Sequence, residues 1–78
     1  MKITVRYFAG LREQRGKESE ELSVPVASCV RELYDRLFPD NAVGRLPVMY
    51  AVNHAYVTGD HELLEGDEVA LIPPLGGG

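Results

Sequence analysis

The sequence is short of the residues that metal and redox chemistry need: one cysteine and two histidines in 78 residues. A lone Cys29 excludes an internal disulfide, a CxxC redox pair, a four-thiolate iron-sulfur cluster and a cysteine-rich zinc site. Basic residues are also scarce, eight against twelve acids, for a formal charge of −4. Nucleic-acid binding is mostly lysine and arginine displacing counterions from phosphates, so nucleic acid is not an expected partner. No apolar run approaches the roughly 18 residues of a membrane span. The start MKITVRYF alternates polar and apolar residues, whereas a secretory signal has a basic region followed by an apolar run. A soluble, reducing, cytoplasmic setting with no membrane partner is expected.

Chemistry-bearing motifs are missing too. There is no GxxxxGKS/T loop, GxGxxG, HExxH or GxSxG. His54 and His61 stand at no metal-ligand spacing, and the acids are scattered one per turn or loop, so no general acid and base pair up. Cys29 begins a helix, where the dipole favours a thiolate, but flanked by Ser28 and Val30 it reads as a small packed residue. No catalytic constellation and no bound cofactor or metal are expected.

What is present can bury a core: 45% of residues are apolar and 26% charged, the composition of a folded domain. The length suits one domain. Lys2 to Phe8 alternates, with Ile3, Val5 and Tyr7 on one face, the period of a half-buried strand. After a polar loop at Arg15 to Ser19, Glu21 to Val24 predicts a second strand in a hairpin with the first. Ser28 is a candidate cap for a helix whose stripe is Val30, Leu33, Tyr34, Leu37 and Phe38, ended by Pro39. A loop with Gly44 and Pro47 leads to a strand at Met49 to Val52. Asn53 and His54 form a two-residue turn, and Ala55 to Val57 returns. Turns at Thr58-Gly59-Asp60 and Glu65-Gly66-Asp67 precede the last strand, Glu68 to Ile72, closed by Pro73-Pro74. One wide helical stripe needs one sheet face to cover it, which predicts a two-layer α+β domain over residues 1–74, with residues 75–78 as a flexible tail.

Charge is uneven. Residues 1–17 hold five basic groups and one acid, and residues 40–78 hold one basic group and six acids. Solvated surfaces of opposite sign and an acidic edge that steers a basic partner both fit this pattern.

The tail is the most pointed feature. Gly76, Gly77 and Gly78 carry no Cβ, so they can enter a channel too narrow for other residues. Pro73 to Gly78, extended at about 3.3 Å per residue, reaches roughly 20 Å from the body. What arrives is the α-carboxylate of Gly78, ionised at neutral pH with a reference pKa of about 3.3 to 3.7. A carboxylate can attack the α-phosphate of ATP, and the acyl-adenylate so formed can be opened by a sulfur nucleophile. A purposeless fraying terminus is the competing reading. Strand parity adds a second feature. Phe8, Tyr56 and Ile72 fall on the sheet face away from the helix, and a contiguous apolar patch marks an interface.

With these residues in view, the chain resembles the small, sulfur-carrier subunits of molybdopterin synthase, a ubiquitin-like β-grasp family. The likeness spans the whole length. It is carried by YFAGLRE (Tyr7 to Glu13), AVN (Ala51 to Asn53), LLEGDEVALIPP (Leu63 to Pro74) and the terminal Gly77-Gly78. Gly-Gly alone specifies only sulfur carriers and ubiquitin-like modifiers as a class.

The resemblance implies a mixed sheet of about five strands packed on one main helix. It implies that Gly78 is adenylylated by a ubiquitin-activating-like adenylyltransferase, which uses the ATP, and then thiocarboxylated with the help of a sulfur-donating enzyme. The tail would enter the large subunit of the synthase and give its sulfur to cyclic pyranopterin monophosphate. Gly77 would provide slender access, and Phe8, Tyr56, Ile72, Leu75 and Gly76 would meet the partner. Gly76 stands where the family tolerates a side chain. Other destinations for such a tail are thiazole synthesis, tRNA thiolation or conjugation to lysine. A plain β-grasp binding module with an incidental tail is a different class again.

Overall fold

The computed structural model of the protein describes residues 1–39 and 48–74. The expected loop through Gly44 and Pro47 and the tail at Leu75, Gly76, Gly77 and Gly78 lie outside the described residues. Among the described residues five strands form one sheet: β1 (Lys2–Tyr7), β2 (Ser19–Ser23), β3 (Met49–Val52), β4 (Ala55–Val57) and β5 (Glu68–Ile72). Two helices accompany them, α1 (Ala9–Arg15) and α2 (Val30–Leu37). The spatial order is β2-β1-β5-β3-β4. The first and last strands run parallel at its centre and every other pairing is antiparallel. This is the mixed β-grasp sheet, built on the expected α+β plan.

Alternation decides which residues enter the core. Ile3, Val5 and Tyr7 of β1, Val69 and Leu71 of β5 and Val52 of β3 are buried beneath α2, together with Val30, Leu33, Tyr34 and Phe38 from α2's expected stripe. Leu37 is partly buried against the same cluster. Aromatic edges bind helix to sheet: Tyr7 meets Phe38 nearly perpendicularly at 5.9 Å, and Tyr34 meets Tyr50 at 6.2 Å. Edge-on contacts of this kind add to plain burial because the ring edge is positive and the face negative.

Three expectations need correcting. Helix α1 occupies the stretch between the expected first strand and the expected loop at Arg15 to Ser19, where the sequence reading had predicted no element. It buries only Leu11, and Gly16 at φ 75° ends it by donating to the Arg12 carbonyl at 2.8 Å. Ser28 does not cap α2, because its hydroxyl donates backward to the Pro25 carbonyl at 2.6 Å. Cys29 holds the N-cap position instead, and Glu32 Oε1 accepts from the Cys29 amide at 2.8 Å, the return half of a capping box. Strand β2 begins at Ser19 rather than Glu21, since its pairing with β1 runs from Lys2 opposite Ser23 to Arg6 opposite Ser19. The last three strands lie where their alternation and turns put them.

The N-terminal amides of α2 find partners in the loop after β4. Val30 donates to the His61 carbonyl at 3.1 Å and Arg31 to the Gly59 carbonyl at 2.9 Å. The Asn53-His54 turn has φ of 50° and 71°, the two left-handed positions that a type I′ hairpin requires.

Candidate functional site

The face of the sheet turned away from α2 carries the candidate site. Because side chains alternate along a strand, Glu68, Ala70 and Ile72 of β5 share this face with Arg6 of β1 and Ala51 of β3. Cross-strand pairing sets Ala70 opposite both Ala51 and Arg6, and Ala51 opposite Tyr56. Phe8, the residue after β1, completes the group.

These positions enclose an open hollow of about 260 Å³ lined by Phe8, Ala51, Tyr56, Ala70 and Ile72, with His54 and Glu68 at one end. Phe8 is 38% exposed and Tyr56 70%, and nearby Met49 is 52% exposed. Phe8, Tyr56 and Ile72, expected on one face from strand parity, do meet there. Sequence reasoning missed Ala51, His54 and Glu68 as members of the same hollow. The strand pairing that brings them together was the hidden variable, although Glu68 shares the parity of Ile72 and could have been found from that.

Polar contacts lie at the Glu68 end. Arg6 Nη1 stands 3.6 Å and His54 Nε2 3.4 Å from the same oxygen, Glu68 Oε2. The turn beneath is fixed from below. Asn53 Nδ2 donates to Asp67 Oδ1 at 2.9 Å, Asn53 Oδ1 accepts from the Glu68 amide at 3.0 Å, and Asp67 Oδ2 accepts from the Leu64 amide at 2.8 Å. Asp67 is the one buried acid among the described residues, and these bonds satisfy its carboxylate.

A second polar cluster sits where α1, β1 and β2 meet. The Tyr7 hydroxyl donates to Glu20 Oε2, and Arg15 reaches the same oxygen through Nε at 3.0 Å and Nη2 at 2.7 Å. Desolvation pushes the Glu20 carboxyl up, but bonds from Tyr7 and Arg15 outweigh it and hold the group below its ordinary value. Burial first, then the Glu20 carboxylate, drives the Tyr7 phenol well above its ordinary value. This cluster fastens α1 to the sheet and lies apart from the outer face.

Among the described residues no group of three or more histidines, cysteines or acids could hold a metal ion, and no helix is long and apolar enough to cross a membrane. Strand β5 runs through Ile72, at the end of the hollow, into Pro73 and Pro74. In the sequence, the residues expected to carry the chemistry follow directly after the strand that carries part of the patch. The family model for ThiS matches residues 5–78. The chain belongs to the ThiS family.

Relatives agree. The human molybdopterin synthase sulfur carrier subunit is 37% identical, over 97% of this chain and 93% of its own length. The Escherichia coli subunit of the same name is also 37% identical, over 97% and 99%. Among solved structures, the putative molybdopterin converting factor subunit 1 of Pyrococcus furiosus superposes with a TM-score of 0.81 at 31% identity, covering 96% of this chain and 99% of that one. This ThiS-family chain is thus a ubiquitin-like β-grasp protein and a full-length relative of molybdopterin synthase sulfur carriers.

Proposed function

We propose that this chain is the sulfur carrier subunit of a molybdopterin synthase, inert alone and active as the smaller half of a two-subunit sulfurtransferase. The observation that carries the reading is the apolar hollow around Phe8, Tyr56 and Ile72, placed on the strand that leads into Leu75 to Gly78. A docking patch on the strand that precedes the reactive end in sequence would let a partner grip the body while that end enters its active site. The names of the relatives support the same reading.

In this scheme the Gly78 carboxylate attacks the α-phosphate of ATP held by a ubiquitin-activating-like adenylyltransferase, and pyrophosphate leaves. Hydrosulfide supplied by a sulfur-donating enzyme attacks the carbonyl of the acyl-adenylate and AMP leaves, so the C-terminus becomes a thiocarboxylate. The nucleotide belongs to the partner, since this sequence has no phosphate-cradling glycine motif. Gly77 and Gly76 offer no side chain to a narrow channel. Phe8, Tyr56, Ile72 and Leu75 dock on the large subunit, where the sulfur passes to cyclic pyranopterin monophosphate. All of these steps fit a cytoplasmic protein.

Intact mass spectrometry tests the scheme. Incubated with ATP, the cognate adenylyltransferase and a sulfur donor, the chain should gain one adenylate and then exchange one oxygen for sulfur, both at Gly78. A chain lacking Gly77 and Gly78 should gain neither while still binding the large subunit through its outer face. Sulfur incorporation that survives this deletion defeats the assignment.

A further inference from the structure

The hollow on the outer face has an apolar floor and a charged end. Ala51 and Ala70 form the floor, with Phe8, Tyr56 and Ile72 around it and Glu68 closing one end. Glu68 and Ile72 stand four residues apart on one strand, roughly 13 Å, so the trough is long enough for an extended side chain. The Glu68 side chain is 35% exposed, and its neighbours His54 and Arg6 approach one oxygen from 3.4 and 3.6 Å while remaining 84% and 51% exposed themselves. Exposed pairs at such distances hold a carboxylate loosely.

That combination selects among occupants. An apolar side chain laid along the floor would cover Glu68 and strip water from a charge without replacing its hydrogen bonds. A lysine would bring a compact, strongly hydrated ammonium, a point charge without the planar fork that stacks on a ring and meets a carboxylate with two donors. An arginine matches every part: its methylenes cover Ala51 and Ala70, its guanidinium faces the Tyr56 ring, and its planar fork meets the Glu68 carboxylate with two donors. The acid excess of residues 40–78 favours a cationic visitor at longer range. We propose that the hollow seats one arginine side chain of the large subunit, and that Glu68 is the residue that selects it. This rests on the docking role given to the outer face under Proposed function.

The test is calorimetric binding of the full chain to its cognate large subunit. Glu68→Gln should weaken binding at least about tenfold and flatten its dependence on salt, the scale of a buried anchor, with the thermal midpoint unchanged. Arg6→Gln should leave binding within about twofold, because Arg6 competes for the same carboxylate. Replacing the arginines of the large subunit one at a time by methionine should reveal one whose loss weakens wild type but adds nothing to Glu68→Gln. Glu68→Lys should be rescued by glutamate at that arginine. Binding of Glu68→Gln within about twofold of wild type, or the absence of any coupled arginine, overturns the proposal while leaving the docking face intact. Failure of the wild-type chain to bind the large subunit overturns the docking reading itself.

Discussion

Ala51 and Ala70 lie directly opposite one another at the centre of the outer sheet face, and the hollow exists because neither extends beyond a methyl group. Aromatic and branched side chains stand around them, so the depression is a consequence of size alone. Ala70→Phe should fill it from the solvent side without reaching the core. We expect unfolding free energy within about 1 kcal/mol of wild type, as for other surface changes, and at least a roughly tenfold loss of affinity for the large subunit. Unaltered binding by calorimetry would place the docking surface elsewhere.

Glu20 ties three elements through Tyr7 and Arg15, and its carboxyl is held below the ordinary value of 4.5. A depressed folded pKa contributes stability above the unfolded pKa, and that contribution is lost as pH falls through the folded value. Tyr7 has the opposite sign: its folded pKa is raised above 10.0, so its contribution is complete below that value and is lost as pH rises through the folded one. Glu20→Gln should cost about 1 to 3 kcal/mol at pH 7, the scale of bonds to a charged acceptor, and flatten the acid limb of the stability curve. Tyr7→Phe should flatten the alkaline limb. Urea midpoints across pH would read both.

Most of the fold was visible in the sequence because its elements satisfy local and global demands together. The stripe from Val30 to Phe38, the Asn53-His54 turn and the stop at Pro73-Pro74 each have a local cause that the tertiary structure preserves. Helix α1 was invisible because a helix that buries only Leu11 shows no period. Its one legible signal was Gly16 in the left-handed stop position. The start of β2 was hidden for a related reason, since Ser19 and Glu20 enter the strand through pairing with β1 and through the bonds that Glu20 makes. At the candidate site, parity sufficed to gather Phe8, Tyr56 and Ile72. Joining them to Ala51 and His54 required the strand order, which residue spacing does not encode.

Gly59 is buried beneath the Arg31 side chain. A Cβ placed there would stand 2.8 Å from Arg31 Nη2 and 3.0 Å from its Cζ. The obstacle is the far end of a flexible side chain, and Gly59 lacks a left-handed φ, so the arginine can swing aside. Gly59→Ala should therefore cost no more than about 1 kcal/mol. Combined with Arg31→Ala, the alanine at 59 should cost nothing further, because the clash is gone. A denaturant double-mutant cycle measures that coupling, and strictly additive costs would mean that the backbone, not Arg31, limits the position.

Asn53 combines a backbone demand with a side-chain one, and two substitutions separate them. Its φ of 50° is left-handed, its amide group bridges Asp67 Oδ1 and the Glu68 amide, and its own N–H donates to the Glu68 carbonyl at 2.8 Å. Asn53→Gly keeps the backbone relaxed and removes both side-chain bonds, so it should cost about 1 to 2 kcal/mol. Asn53→Ala removes the same bonds but keeps a Cβ on a left-handed residue, which leaves it about 1 kcal/mol less stable than the glycine variant. Neither variant reaches the core, but each loosens the turn that carries His54 and the entry to β5 at Glu68. The ordering wild type, glycine, alanine in urea midpoints would establish both contributions. Equal midpoints for glycine and alanine would show that the Asp67 bridge alone holds the turn.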